Sequence, residues 1–358
     1  MDPLAHTLFG AALAESGLKH RARYATASLL IGANLPDIDG LANWWGSDVA
    51  LGVRRGHTHG ILAILLLPLV LTAGLALWHR WRGQTDPIVG APPWRPRTLL
   101  ALSALAVASH PLLDWLNTYG VRLLMPFDGR WFYGDTLFII DPWFWLLTAA
   151  GVVLARSADR RAIAGWVVLA VLASALVLGT GLVPIAVKWI WCLGVVGLVA
   201  LRARRPAHGN AQKAAQNASR LGLAALALYI GVAYGLARLA ESGVSHRSTT
   251  SVSVQANPMP GVPFAHRLVV TEGLRYRIEA ADGTVHELPR RVPDAVVQEA
   301  MRAPSVRGFM NWTRFPYWTV EEAADHWTVR FIDLRYQGPD LPDARGIGAV
   351  QVVVPKGR

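Results

Sequence analysis

The sequence has a single cysteine and no basic segment at its start. Cys192 lies inside an apolar run, so a disulfide framework is excluded and the compartment cannot be read from redox chemistry. The opening residues, MDPLAHTLFG, lack the positively charged region that begins a secretory signal. We therefore expect no cleavable signal peptide, and hydropathy and charge become the informative features.

Acidic residues are scarce relative to basic ones. The 358 residues include 35 Lys and Arg but 24 Asp and Glu, which gives a net charge of +11, and 53% of the residues are hydrophobic. The basic residues lie in short runs between apolar segments, whereas a nucleic-acid-binding protein would cluster them on one soluble face. This composition argues against nucleic acid as a partner and predicts a membrane protein with basic rims.

Six apolar runs have about the length needed to cross a lipid bilayer. They are Ile61 to Trp78, Thr98 to Thr118, Phe138 to Ala155, Ala162 to Leu182, Pro184 to Leu201 and Leu221 to Ala240. Two shorter pieces, Leu4 to Leu18 and Tyr24 to Pro36, precede them. These pieces form either a helical hairpin that dips in from one face or two short tilted helices inside the bundle. We therefore expect an α-helical polytopic protein with six to eight membrane helices.

The positive-inside rule orients these segments, because alternate connections differ in Lys and Arg content. One side receives 15 basic residues, in the segments 19–23, 80–82, 95–97, 156–161, 202–205 and 213–220. The opposite side and the span ends nearest it carry six basic residues and seven aspartates. We predict that the first side is cytoplasmic and that the chain is a multi-pass protein of a bacterial inner membrane.

The composition changes after residue 242. Alternating stretches such as SVSVQA, LRYRIEA and HWTVRFIDLRY are separated by Pro and Gly turns, a pattern typical of β-strands. We therefore predict two domains, a membrane-embedded helical domain over residues 1–242 and a soluble, mostly β domain over residues 243–358. The parity of crossings places the second domain on the non-cytoplasmic side.

Polar residues interrupt the second of the six runs, in the sequence SHPLLDWLNTYG. His110 and Asp114 are spaced i, i+4 and Asn117 follows about one turn later, so the three would share one face of a helix. Ionisable residues inside a membrane segment are functional candidates by default. The alternative is that His110 and Asp114 pair with each other and only hold helices together.

Further histidines and aspartates occur at the ends of other apolar segments: His6, Asp37, Asp39, His57, His59, Asp135 and Asp141. Each has a structural alternative, because aspartates cap helices and turns and a single histidine is often a core residue. The predicted topology nevertheless places all of these residues at the non-cytoplasmic ends of their segments.

Clustered carboxylates and neutral imidazoles predict a metal site at that face. Such groups bind zinc and, with more oxygens, manganese or iron, and their number suits one or more ions. The candidate ligands are His6, Asp37, Asp39, His57, His59, His110, Asp114, Asp135 and Asp141, and zinc is the first candidate metal. Which member of each close pair is a ligand stays open, and Asp39 and His57 are also assigned to catalysis.

Three further residues are candidates for substrate binding. Arg54 and Arg55 precede His57 on the side that is otherwise poor in basic residues. A guanidinium group matches phosphate oxygens bidentately, so either arginine could hold a substrate phosphate; the alternative is a loop-surface role. Asn117, beside the His110 and Asp114 pair, is the third candidate.

Five segments resemble a known family in their order along the chain. They are DPLAHTLFGAALAE, GANLPDIDGL, RRGHTHG, SHPLLDWLNTYG and DTLFIIDPWFW, and the family is that of membrane-bound metal-dependent hydrolases, also called YdjM or DUF457. The resemblance covers roughly residues 1 to 160, and VRFIDLRY in the tail is similar to the extension of longer members. It implies a distant similarity to zinc-dependent phospholipase C and P1-type nucleases.

That distant similarity implies roles for individual residues. His110 and Asp114 match a His-x-x-x-Asp ligand pair, and His6, one of Asp37 and Asp39, and one of His57 and His59 match further ligands by order. Two features depart from the pattern. No His-x-x-x-Glu follows, so Asp135 or Asp141 substitutes or the cluster is smaller; and Met1 lies five residues ahead of His6, which argues against the N-terminal amine as a ligand.

We therefore expect a membrane-bound hydrolase that uses a metal-activated water on phosphoesters, with a phospholipid reaching the site laterally from the bilayer. The rival prediction is a non-enzymatic protein that binds or conducts a divalent ion through the same residues. A conduit would continue polar residues toward the cytoplasm. The cytoplasmic halves of these runs have almost none, which favours the enzyme.

Overall fold

The structure, a computed structural model, describes residues 1–82, 91–204, 210–247, 252–336 and 348–356. These residues divide into two compact units. The first contains Met1–Asp37, Thr58–Ala237 and Pro258–Ala265, and the second contains Ile38–His57, Arg238–Asn257 and His266–Arg358. The sequence predicts a domain boundary between residues 242 and 243. The boundary between the two units instead falls between Ala237 and Arg238, inside a long helix, and the segment Ile38–His57 also belongs to the second unit.

Nine helices precede the first strand in the described part of the chain. They are α1 (Pro3–Glu15), α2 (Ala25–Gly32), α3 (Ser47–Val53), α4 (Ile61–Trp81), α5 (Pro96–Trp115), α6 (Pro142–Ala155), α7 (Arg160–Gly179), α8 (Ile185–Ala203) and α9 (Asn210–Arg247), with short 3₁₀ segments at Leu18–His20 and Leu35–Trp45. Five of them, α4, α5, α7, α8 and α9, are long and apolar enough to cross a membrane. Five of the six predicted spans thus coincide with such helices.

The predicted span from Phe138 to Ala155 is wrong at its start. Helix α6 begins only at Pro142, because Asp141 caps it and accepts hydrogen bonds from the backbone N–H groups of Trp143 and Phe144. Its 14 residues extend about 21 Å, whereas a typical span of roughly 20 residues extends about 30 Å.

The two short N-terminal helices pack inside the first unit. Helix α1 lies against α2 and α6, and α2 lies against α5. Their approach is close, because a Cβ atom added at Gly10 would lie 2.6 Å from the Leu29 carbonyl oxygen and one at Gly32 would lie 2.8 Å from Ala106 Cβ. Small residues at such contacts are typical of helix packing in membranes. Because α1 and α2 pack on each other as well as on α5 and α6, both predicted alternatives, a helical hairpin and two short helices inside the bundle, stay predictions.

Basic segments meet at one end of the first unit. The buried Glu15 carboxylate contacts Lys19 and accepts a hydrogen bond from Arg156 Nε at 2.7 Å. Arg220 Nε donates to the Ser16 carbonyl oxygen at 2.9 Å. The C-terminal ends of α1 and α6 therefore lie together among basic residues, as the charge pattern predicts. Which side of the membrane this end faces stays a prediction.

Seven strands and two short helices follow α9 among the residues that the structure describes. The strands are β1 (Val252–Met259), β2 (Val262–Glu272), β3 (Arg275–Glu279), β4 (Val285–Pro289), β5 (Pro316–Glu322), β6 (His326–Asp333) and β7 (Ala349–Pro355), and the helices are α10 (Ala295–Met301) and α11 (Pro304–Trp312). They form one four-stranded sheet, β1-β2-β3-β4, and one three-stranded sheet, β5-β6-β7. A core containing Val269, Ile278, Tyr317 and Ile332 joins residues of both sheets. The prediction of a C-terminal β-sheet domain is confirmed.

Candidate metal centre

Four buried or half-buried side chains of the first unit converge on one point. Asp37 comes from the 3₁₀ segment, His59 from the turn before α4, and His110 and Asp114 from adjacent turns of α5. One ligand atom from each of the four lies within 4.8 Å of the others. We call these four residues the metal-candidate group. The i, i+4 spacing of His110 and Asp114 brings both side chains to the centre, as the sequence predicts.

The distances within the group are short. His59 Nε2 lies 3.3 Å from Asp114 Oδ2, and His110 Nε2 lies 3.7 Å from the same oxygen and 3.6 Å from Asp37 Oδ1. The two Nε2 atoms are 3.1 Å apart. At this distance the two nitrogens either share a proton in a hydrogen bond or present their lone pairs to a cation between them, so the arrangement can accommodate a metal ion.

The outer nitrogens of the two rings have partners of their own. His110 Nδ1 lies 2.6 Å from the Ala33 carbonyl oxygen, and because a carbonyl only accepts, Nδ1 must carry the proton. A neutral His110 therefore presents the Nε2 lone pair to the centre. His59 Nδ1 lies 2.9 Å from the Thr58 hydroxyl. A histidine that ligates a metal usually donates its other N–H in this way, which fixes the ring and its tautomer.

Asp37 is prepared to carry a negative charge. Burial alone would raise the pKa of its carboxyl, but a proton on His110 Nε2, directed at Asp37, outweighs burial and lowers that pKa to about 2. A cation at the centre would face Asp37 in the same way, so the group offers a carboxylate to a metal at neutral pH. Two imidazoles and two carboxylates form a donor set that fits a divalent metal such as zinc.

His6 and the N-terminal amine lie on the other side of Asp114. The His6 ring stacks on His110 with centroids 3.7 Å apart, and its Nε2 lies 3.2 Å from Asp114 Oδ1. The α-amino nitrogen of Met1 is buried and contacts the same oxygen. His6 therefore adjoins the metal-candidate group without being one of its four members. The sequence interpretation missed the amine, because Asp2 caps α1 in an extended conformation and places Met1 outside the helix.

Comparisons with known proteins place this arrangement in a family. Residues 1–183 match the model described as YdjM inner membrane protein, which is just over half of the 358 residues. The chain belongs to the YdjM inner membrane protein family. The family match contains every residue of the metal-candidate group, and it confirms a membrane location.

The tail has a match of its own. Residues 295–340 match a family described as the YfhP C-terminal alpha/beta plait domain. The chain is also 23% identical to the uncharacterized protein YfhP of Bacillus subtilis (strain 168), over 94% of this chain and 87% of that protein. No solved structure matches the chain. Similarity to phospholipase C or to P1-type nucleases stays an expectation of the sequence.

Asp39 and His57 belong to the second unit and lie outside the metal-candidate group. Asp39 Oδ2 accepts a hydrogen bond from the Arg55 backbone N–H at 2.7 Å, in a turn where Arg55 has a φ of 51°. Asp39 thus stabilises a turn within its own unit. Of the close pairs that the sequence leaves open, the group includes Asp37 and His59. The catalytic roles assigned to Asp39 and His57 stay predictions.

The predicted substrate contacts differ from their sequence-based description. Asn117 does not continue the helix face of His110 and Asp114, because α5 ends at Trp115. Its Oδ1 instead accepts a hydrogen bond from the Tyr119 backbone N–H at 2.9 Å. Arg55 is buried and Arg54 is half-buried within the second unit. Phosphate binding by either arginine stays a prediction.

Asp135 and Asp141 are both buried and lie outside the metal-candidate group. Besides capping α6, Asp141 accepts a hydrogen bond through Oδ2 from the Tyr229 hydroxyl at 2.8 Å. The capping alternative therefore describes Asp141. Asp135 adopts a φ of 48°, a left-handed backbone conformation that Asp tolerates better than most residues.

Proposed function

We propose that this protein is a membrane-embedded, metal-dependent hydrolase that cleaves phosphoesters, with membrane lipids as the substrate class. The observation that carries the proposal is the convergence of Asp37, His59, His110 and Asp114 within 4.8 Å. A divalent metal bound there would lower the pKa of a bound water from 15.7 to about 7 and so supply hydroxide at neutral pH.

The side chains around the group orient its donors. Asp114 Oδ1 is engaged by His6 Nε2 and by the Met1 amine, which leaves Oδ2 directed toward His59 and His110. The bond from His110 Nδ1 to the Ala33 carbonyl holds that ring in place. Such outer contacts raise the affinity of a metal site and keep its geometry fixed.

The location of the group supports a lipid substrate. His110 and Asp114 lie in the last two turns of α5, one of the five helices long enough to cross a membrane. A site at the end of a membrane span lies near the depth of lipid phosphates, because the polar headgroup region borders the hydrocarbon core. A lipid phosphoester therefore reaches it without leaving the bilayer.

One observation favours the rival function, conduction of a divalent ion. Ser103 lies seven residues before His110 on α5, and its hydroxyl lies 2.8 Å from the Ser28 hydroxyl and 3.0 Å from that of Thr72. Polar groups thus occur deeper in the bundle than the sequence pattern suggests. These hydroxyls hydrogen-bond to one another, however, as in the interhelical contacts that hold membrane helices together.

The proposal is tested on the full chain purified in detergent. Wild type should contain stoichiometric metal and should release headgroup phosphate from phospholipid in mixed micelles, and a chelator should abolish this activity until metal is restored. His110→Ala and Asp114→Ala should lose both metal and activity. His79→Ala, a histidine of α4 stacked on Trp94 at 4.5 Å, is the matched control and should keep both.

Two results would contradict the proposal. Hydrolysis that persists in metal-free protein would remove the mechanism. Metal-dependent uptake of zinc into proteoliposomes, with no hydrolysis of phospholipids or other phosphoesters, would assign the same four residues to ion conduction instead.

A further inference from the structure

A deep apolar groove lies within the first unit, between α1, α6, α7 and α8. Its volume is about 230 Å³. Apolar cavities smaller than this one exclude water and bind apolar molecules. Because α7 and α8 are candidate membrane spans, the apolar molecules that surround the groove are lipids.

The side chains that line the groove are almost all apolar. Trp145, Trp166 and Trp191 line it, and each indole N–H is already bonded elsewhere: Trp145 to Asp2, Trp166 to the Arg156 carbonyl oxygen and Trp191 to the Ser174 hydroxyl. The remaining lining side chains are aliphatic except for Ser157 and Arg202. A polar or water-soluble ligand would lose its hydrogen bonds there.

The two polar lining residues lie together at one end. Arg202 Nε donates to the Ser157 hydroxyl at 2.5 Å, and Arg202 Nη2 donates to the Ser157 carbonyl oxygen at 2.7 Å. These bonds hold the guanidinium at the mouth of the groove. A guanidinium has five N–H donors and matches phosphate oxygens well, so donors remain for an anion. Arg156, beside Ser157 in the chain, is paired with the Glu15 carboxylate, so the guanidinium of Arg202 is the group offered to an anion at this end.

The length of the groove suits a lipid tail. It follows α8 from Trp191 to Arg202, a distance of about 17 Å at the rise of an α-helix. One leaflet contributes about half of a hydrocarbon core that is roughly 30 Å thick. An acyl chain with its phosphate at one end of the groove therefore fits the distribution of carbon and charge.

We propose that this groove binds one acyl chain of an anionic phospholipid, and that Arg202 holds the phosphate of the headgroup. The phosphate of this lipid is bound at the end of the unit where α6 and α8 terminate, whereas the metal-candidate group lies near the start of α1. The site is thus separate from the proposed hydrolase centre and does not depend on it.

The test measures phospholipid retained by the full chain after reconstitution in vesicles of phosphatidylglycerol and phosphatidylcholine, extraction in detergent and size exclusion. Wild type should retain phospholipid enriched in phosphatidylglycerol. Ala170→Trp fills the groove from α7 and should lose this lipid. Ala175→Trp, on an exposed part of the same helix, should retain it, as should His110→Ala.

Charge is tested separately. Arg202→Gln should weaken the preference for phosphatidylglycerol by about tenfold, since it removes a charge-assisted contact to phosphate. Arg204→Gln, which removes an exposed charge at the end of α8, should leave the preference unchanged.

If Ala170→Trp does not fold, Ala149→Phe fills the groove from α6. Delipidated wild type should also gain thermal stability from phosphatidylglycerol more than from phosphatidylcholine.

Three outcomes would overturn the proposal. Folded filling variants could retain as much lipid as wild type, or Arg202→Gln could keep the full preference for phosphatidylglycerol. Alternatively, wild type could be lipid-free and dimeric through α7 and α8, which would assign the groove to a second copy of the chain.

Discussion

At the residue scale, His57 and His59 differ by two positions but lie in different units of the fold. His59 contributes Nε2 to the metal-candidate group, 3.3 Å from Asp114 Oδ2, and His57 does not belong to that group. The same distinction separates Asp37 from Asp39. His57 can therefore serve as the control for His59 when each histidine is replaced.

His59→Ala should lose bound metal, whereas His57→Ala should keep it. The physical reason is that removing one of four ligands takes away a direct metal bond, while a histidine outside the group contributes none. Metal content of the two purified variants, measured side by side with wild type, checks this. Equal loss in both variants would mean that His57 also ligates, and loss in His57→Ala alone would refute the assignment.

At the element scale, the sheet β5-β6-β7 contains a buried ion pair. Asp333 accepts hydrogen bonds from Arg335 Nη2 at 2.8 Å, from the Thr313 hydroxyl at 2.7 Å and from the Arg314 backbone N–H at 2.8 Å. Burial alone would raise the pKa of Asp333, but Arg335 and these donors hold that pKa below its usual range. All four residues lie within residues 295–340, which match the YfhP C-terminal domain.

Asp333→Asn should destabilise the sheet by about 3–5 kcal/mol at pH 7, because it leaves the Arg335 charge buried without its partner. A lowered folded-state pKa means that the carboxylate stabilises the fold above its unfolded pKa of 3.8 and that this contribution is lost as pH falls through the folded value. The difference in the free energy of unfolding between Asp333→Asn and wild type should therefore become smaller below about pH 4.

Amide hydrogen exchange in β5 and β6 of the full chain measures this difference. Asp325→Asn is the matched control, since Asp325 pairs with His326 on the surface and is 86% exposed, and it should leave exchange unchanged. Exchange rates in Asp333→Asn equal to wild type would show that the buried pair does not stabilise the sheet.

The elements also show what sequence patterns predict and where they fail. Continuous apolar runs correspond to α4, α7 and α8, and Pro68 inside α4 does not end that helix. The run before α6 fails because an Asp-Pro pair at residues 141 and 142 caps and starts the helix, and hydropathy does not register a cap. The i, i+4 spacing of His110 and Asp114 gives half of the candidate site. The choice of Asp37 over Asp39 depends on tertiary packing, which a spacing of two residues cannot reveal.

At the scale of the whole molecule, the distribution of charge predicts the orientation in the membrane. Basic residues collect at the end of the first unit where α1 and α6 terminate, and the metal-candidate group lies near the start of α1. The positive-inside rule predicts that the basic end is cytoplasmic. The C-terminal sheets and the metal-candidate group would then face the other side of the membrane.

A cysteine placed at Ala281, in a Cys192→Ser background, tests this orientation. Ala281 is exposed in the turn before Gly283, whose φ of 87° makes Gly283 itself unsuitable for substitution. The cysteine should react with a membrane-impermeant maleimide in intact spheroplasts. Arg161→Cys, at the basic end, should react only after lysis. The reverse pattern would place the sheets and the site in the cytoplasm.

X-ray absorption spectroscopy of the zinc-loaded protein measures whether Asp37, His59, His110 and Asp114 bind a divalent metal. We expect two imidazole nitrogens at about 2.0–2.1 Å and oxygen ligands at about 2.0–2.2 Å. His110→Ala should lose one imidazole from this shell or lose the metal altogether. A zinc shell without imidazole in the wild-type protein, or a shell unchanged in His110→Ala, would contradict metal binding by these four residues.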